Sequence, residues 1–209
     1  MKDKKLLSDI KEYLKCYENQ VLEDWYELIR HISVSETGEG IETCCDWIQK
    51  KMEEIGIQVT KYSVKPAPVL VGRFGNDPEK KTVLIYAHYD VKPAGERKLW
   101  HSDPFVPTVR DGKVYARGSA DNKSPLMAHL KALEYFIRRK MEVPVNVIFV
   151  FEGDEECGSR GLEEFLAEHR TELAADLVFS AMVQRILVDF LSLLWGQREI
   201  CLFILQLKR

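Results

Sequence analysis

The sequence lacks the marks of several protein classes. Its five cysteines, Cys16, Cys44, Cys45, Cys157 and Cys201, are odd in number and form no C-x-x-C pair. That argues against a disulfide framework and against a cysteine zinc site, and it makes a reducing cytoplasm the expected compartment. Basic residues are not in excess. The 30 Lys and Arg are set against 33 Asp and Glu, for a net charge of -3, so no basic surface points to nucleic acid. The N-terminal "MKDKKLLSDIKEYLK" is charged and amphipathic, without the continuous apolar core of a signal peptide. No G-x-G-x-x-G follows a strand-like run, which disfavours a dinucleotide-binding enzyme. Internal repeats and low-complexity tracts are missing too. The apolar stretch after Ala181 is interrupted by Asp189, Arg198 and Glu199, so a membrane span is a poor reading.

What remains reads as an α/β domain. The first thirty residues predict a helix with Ile10, Leu14, Tyr17, Val21 and Leu28 roughly on one side. A loop, "SVSETGEG", leads to a second helix, in which Ile41, Cys44, Cys45, Ile48, Met52 and Ile55 recur at three- and four-residue steps before Gly56. Three strand-like runs follow: "IQVTKYSV", "VLVGRF" and "TVLIYAHYD". Residues 91–113 read as loop. A third helix is expected over about 122–140, with Leu126, Leu130, Leu133 and Ile137 as its buried stripe. Then come a buried strand, "PVNVIFVF", a short helix, "SRGLEEFLAEHR", and a last strand, "ADLVFS". Alternating buried strands and helices imply a largely parallel sheet flanked by helices.

The run "FVFEGDEECGSRG" crowds Glu152, Asp154, Glu155 and Glu156 into five residues. Like charges at that spacing repel, so either a cation belongs among them or they point into water. In open α/β sheets, sites form beyond the carboxyl ends of strands. Two strands exit into polar sequence here, at "AHYD" and "EGDEE", and "ARGSADNKS" precedes the long helix. Together they offer His88, Asp90, Asp121, Glu155 and Glu156. His88 and Asp90 share a face of an extended segment, so one could bind a metal while the other steadies it. Alone, the pair is equally an ordinary strand-end histidine with an acidic neighbour. Asp121 is either a simple helix-entry residue, favoured by the helix dipole, or a carboxylate bridging two cations. Glu155 and Glu156 can serve one site only if the chain turns there, and Gly153 and Gly158 would help it do so. A solvated acidic loop is the alternative. Histidine with carboxylates suits catalytic zinc, with manganese or cobalt as substitutes.

Three ordered segments resemble a known family: "LIYAHYDVKPAG", "LWHSDPFVPTVRDGKVYARGSADNKSPLMAHLKAL" and "FVFEGDEECGSRGLEEFL". They are similar to the co-catalytic zinc peptidases and deacylases, which include cytosolic dipeptidases, carnosine dipeptidase and acetylornithine deacetylase. "HYDVKP" followed by "LWHSDPF" looks like the dipeptidase branch. The resemblance implies a zinc-exopeptidase-like catalytic domain. It implies two Zn2+ ions, His88 as a ligand of one, Asp121 as a bridge and Glu156 as a ligand of the other. Asp90 would stand behind His88, Glu155 would be the general base, and the Asp121–Asn122 peptide would be cis. Glu152 and Asp154 receive no catalytic role. The expected substrate is a small peptide or N-acyl amino acid, and complete relatives are expected to be homodimers.

The resemblance covers roughly residues 1–181 and stops where the composition changes. Segment 182–209 is expected to be divergent, in a truncated or frameshifted chain whose lid or dimerisation domain is absent. The family pattern places an acidic residue where Met182 stands and a late His that this sequence does not supply. Two protein ligands per ion would remain, which implies weak metal binding and little activity. A remnant or binding module without catalysis is the competing reading. A metal-free glycosidase using paired carboxylates is a third, and His88, Asp121 and Glu156 give it no support.

Overall fold

The computed structural model describes residues 2–180. The boundary expected at 181–182 and the segment beyond it lie outside the described residues. Among the described residues there are four α-helices: α1 (Lys2–Arg30), α2 (Ile41–Glu54), α3 (Lys123–Arg138) and α4 (Leu162–Glu168). The main sheet comprises β1 (Gln58–Tyr62), β2 (Val69–Phe74), β3 (Thr82–His88), β6 (Asn146–Glu152) and β7 (Leu177–Ser180). Their spatial order is β1-β2-β6-β3-β7. β6, β3 and β7 are mutually parallel, and β2 is antiparallel to both β6 and β1. Four of the five strands therefore run one way and β2 alone is reversed, which meets the expectation of a largely parallel sheet.

Alternation along the strands builds two cores. Leu70, Ala87, Val147, Phe149 and Phe151 face the layer of α1, α2 and α3. Val69, Val71, Leu84, Tyr86, Ile148 and Val150 face α4 and Leu173. β6 is buried along its whole length, as its unbroken apolar sequence requires for a central strand covered on both faces. α2 buries Ile41, Cys44, Cys45, Ile48 and Met52, the stripe read from its spacing. The stripe of α3 holds at Leu126, Leu130 and Leu133.

Two expectations are corrected. Along α1, Leu14 and Tyr17 are exposed, while Tyr13 is buried and Leu28 and Ile29 are fully so. Tyr13 packs edge-on against Tyr135 of α3, with ring centroids 5.1 Å apart. Only one flank and the C-terminal end of this helix enter the fold. Within the presumed loop 91–113, β4 (Thr108–Arg110) begins a small antiparallel hairpin with β5 (Lys113–Tyr115). Its turn is Asp111-Gly112, both with positive φ, the conformation that favours Asp-Gly in two-residue hairpins.

Candidate metal centre

Parallel pairing puts the carboxyl ends of β3 and β6 side by side, with His88 opposite Glu152. The chain then turns at each end. Tyr89, Asp90 and Val91 leave β3, and a single 3-10 turn, Glu155–Cys157, follows β6. Two glycines make the second turn possible. Gly158 closes it with φ 93°. At Gly153 a Cβ would lie 2.5 Å from the Tyr89 ring, so the close approach of the two strand ends needs hydrogen there. Asp121 stands two residues before α3, and the Asp121–Asn122 peptide is cis, as the resemblance implies.

Asp90 organises this corner. Its carboxylate is fully buried. Oδ1 lies 3.2 Å from His88 Nδ1. Oδ1 and Oδ2 accept the backbone N–H groups of Glu155 and Glu156, at 3.1 and 3.0 Å. The Asp90 carbonyl oxygen is the hydrogen-bond partner of His88 Nδ1, at 3.2 Å. Asp90 thus holds the imidazole through its backbone, with its carboxylate alongside, and both glutamates' amides through its carboxylate. His88 is also fully buried, and its Nε2 has no aligned hydrogen-bond partner. Asp121 Oδ1 stands 3.2 Å away, off the ring N–H direction, and Glu155 Oε2 stands at 3.7 Å. The Glu156 carboxylate sits 3.7 Å from Lys92 Nζ, and Lys92 also donates to the Glu156 carbonyl. His88 is therefore approached separately by Asp90, Asp121 and Glu155, and Glu156 lies beside Lys92. Among the described residues, no three His, Cys, Asp or Glu side chains converge closely enough to form an ion cage by themselves.

The charges in this corner are unbalanced. Burial works against a charged His88, but the carboxylates of Asp121, Asp90 and Glu155 outweigh it and push the imidazole pKa up to about 10. The His88 ring, 3.2 Å away, holds Asp121 below the usual carboxylate range, against the effect of burial. Burial raises Glu155, and Glu156, Asp90 and Asp121 raise it further while His88 opposes. Burial and Asp121 likewise raise Glu156, with Lys92 opposing. A cation among these groups would relieve that repulsion. The fit to a divalent ion rests on the orphaned Nε2 and on carboxylate oxygens facing it, a donor set that suits zinc.

The other two carboxylates of the acidic run have partners of their own. Glu152 is tied off beside His88 by Tyr86 Oη and Ser159 Oγ, which donate to it at 2.5 and 2.7 Å. Asp154 is gripped by Arg160, through Nε at 2.9 Å and Nη2 at 2.7 Å. Neither points into water, since both are nearly fully buried. Residues missed in the sequence also border the site. Lys92 is one. Lys123 is another, fully buried at the start of α3. Its place on the same helical stripe as Met127 and Leu130 could have revealed it.

Comparison with known proteins now bears on this corner. The family described as Peptidase family M20/M25/M40 matches residues 84–189. A Beta-Ala-His dipeptidase of Mus musculus is 38% identical over 148 residues, covering 68% of this chain and 29% of the relative. A Cys-Gly metallodipeptidase of Schizosaccharomyces pombe is 40% identical over 159 residues, covering 73% of this chain and 33% of the relative. The crystal structure of human carnosine dipeptidase 1 superposes with a TM-score of 0.79 at 28% identity, covering 83% of this chain and 40% of that one. The chain thus spans about a third of the length of these curated relatives. The matched span includes every residue from His88 to Glu156 that builds the corner, and the chain belongs to peptidase family M20/M25/M40.

Proposed function

We propose that this chain carries part of the catalytic domain of a metal-dependent hydrolase of the dipeptidase type, cleaving a peptide amide bond. The observation that carries the reading is the buried, unpartnered Nε2 of His88, faced by Asp121 and Glu155 at the carboxyl ends of parallel strands. His88 and Asp121 would hold one ion, and Asp121 and Glu156 a second. Zinc is the expected metal, with manganese or cobalt able to replace it. When bound, such ions polarise a carbonyl and lower the pKa of water to roughly 7.

The protein's own groups do the rest. Asp90 accepts the Nδ1 proton of His88 through its carbonyl oxygen, so that Nε2 is the nitrogen that would ligate once a metal displaces its proton. The two backbone bonds to Asp90 set the direction of Glu155. Its carboxylate takes a proton from the attacking water and returns it to the leaving amine. The raised pKa of Glu155 brings it closer to neutrality, where such a shuttle works best. Substrates would be small peptides or N-acyl amino acids. Dipeptides resembling Cys-Gly or β-alanyl-histidine are the first to try, after the names of the relatives. Among the described residues each ion would receive two side chains, where catalytic zinc normally has three.

The test is a Co2+ titration followed by visible absorption, alongside hydrolysis of both dipeptides. Binding that is lost in His88→Ala, with hydrolysis lost in Glu155→Gln, supports the proposal. Tight binding of two ions that ignores His88→Ala would falsify it. Binding with no hydrolysis would make the chain a metal-holding relative without catalysis.

A further inference from the structure

The three loops that carry the site come from distant parts of the chain, yet all three meet one short segment that holds none of the candidate ligands. We propose that residues 28–35, the end of α1 and the turn after it, are a positioning strut for the site, with Ser33 and Lys123 as its two anchors. This inference rests on the metal-site reading above for its functional meaning.

The contacts are specific. Ser33 is fully buried. Its Oγ donates to the carbonyl of Tyr89 at 2.7 Å, between His88 and Asp90. Its own carbonyl accepts the N–H of Val91 at 2.8 Å, and Val34 bridges Val91 in parallel. The strut is therefore laced to the first loop like a short strand. Lys123 joins it to the second loop. The fully buried ammonium donates to the carbonyl of Leu28 at 3.1 Å and to that of His31. Those carbonyls belong to the last turn of α1 and the residue after it, where they have no partner within the helix. A cation there is also favoured by the helix dipole. The bond fixes the backbone two residues beyond Asp121. Ser35 touches the third loop, where its Oγ lies 3.5 Å from Cys157 Sγ, next to Glu156.

The loops are also tied to each other through Asp90, which holds the amides of Glu155 and Glu156. A shift of the strut at Ser33 would thus be felt at the glutamates without direct contact. Ser33 and Lys123 are fully buried and spend their polar groups on backbone carbonyls, so they are positioning residues.

The experiment measures amide hydrogen exchange in the full chain, without metal, for wild type, Ser33→Ala, Lys123→Met and Leu166→Ala. Leu166 lies in the core on the other side of the sheet and serves as a destabilised control. Ser33→Ala is expected to speed exchange about fivefold, the factor for one lost hydrogen bond, at Val91 and also at Glu155 and Glu156. The ladder of β1 and β2 should be unaffected. If only Val91 responds, or if Leu166→Ala speeds the same amides equally, the strut is refuted. Should Lys123→Met fail to fold, Ser33→Ala decides alone. A Co2+ titration of the same proteins adds the functional arm. Ser33→Ala should weaken Co2+ binding about tenfold and Leu166→Ala should not. Coupled exchange with unchanged Co2+ affinity would overturn the positioning role. Absence of any His88-dependent Co2+ binding in wild type would instead sink the metal-site proposal, and the exchange data would still decide the strut.

Discussion

Two regions of this molecule gather half-buried charge, and they resolve it in opposite ways. A groove of about 270 Å³ between α1, α2 and α3 collects Asp24, Lys51, Lys131, Glu134 and Arg138. There the acids have basic partners. Asp24 meets Lys51 at 3.0 Å and also pairs with Lys131, while Glu134 meets Lys131 and Arg138, both at 2.6 Å. Burial alone would raise the Asp24 pKa, but hydrogen bonds from Lys131 and Lys51 outweigh it and hold the carboxyl below its usual range. At the corner of His88, Asp121, Glu155 and Glu156, burial and neighbouring acids instead push both glutamates up. A compensated cluster stabilises a fold. One whose acids outnumber the opposing His88 and Lys92 keeps a residual repulsion that a bound cation would relieve, the pattern expected of a site.

The contrast can be broken or sharpened by substitution. The largest effect is expected from His88→Ala. Loss of this nitrogen should weaken Co2+ binding at least about 100-fold, read by titration, while the groove's contribution to stability stays intact. Lys131→Met should do the reverse. It leaves Asp24 and Glu134 short of a partner in a half-buried place and should destabilise the chain by about 2 kcal/mol in urea unfolding, with Co2+ affinity unchanged. An equal loss of Co2+ affinity in both variants would erase the distinction.

Glu152 offers a third kind of compensation, by hydrogen bonds alone. Burial pushes its pKa up to about 7, against the opposing effect of the Tyr86 and Ser159 hydroxyls. The folded chain therefore binds this proton more tightly than the unfolded chain does. Its contribution to stability is full below pH 4.5 and is lost as the pH rises through about 7. Between pH 5.5 and 8 wild type should lose roughly 1–2 kcal/mol that Glu152→Gln does not lose, as measured by urea unfolding at each pH. The smallest effect is expected at Asp90→Asn. The amide keeps one acceptor for the two glutamate N–H groups but surrenders the charge behind His88. Co2+ affinity should fall about tenfold, and a change no larger than that of Leu166→Ala would deny Asp90 its organising role.

Much of this was legible in the sequence. Helix α2 and strands β2, β3 and β6 follow from apolar spacing, because burial on one or two faces repeats with the period of the element. That His88, Asp90, Glu155 and Glu156 lie together at the carboxyl ends of β3 and β6 is legible because polar residues at the end of a buried parallel strand have few places to go. The fates of Glu152 and Asp154 were not legible. Their partners, Tyr86 and Arg160, are ordinary residues whose approach is set by strand register and a tight turn. The exposure of Leu14 and Tyr17 escaped as well, since periodicity gives a face but not how far along α1 a neighbour extends. The β4–β5 hairpin was missed for a different reason. Its Asp-Gly signal was present, but its strands are three residues each and too short to show a period.

The grip of Asp90 on Glu155 spans 65 residues of chain. Closing so long a loop is entropically expensive, and parallel strand pairing across it is slow. The site can be complete only once β3 and β6 have found each other. A metal ion added during refolding should leave the folding rate unchanged and act only afterwards, by slowing unfolding.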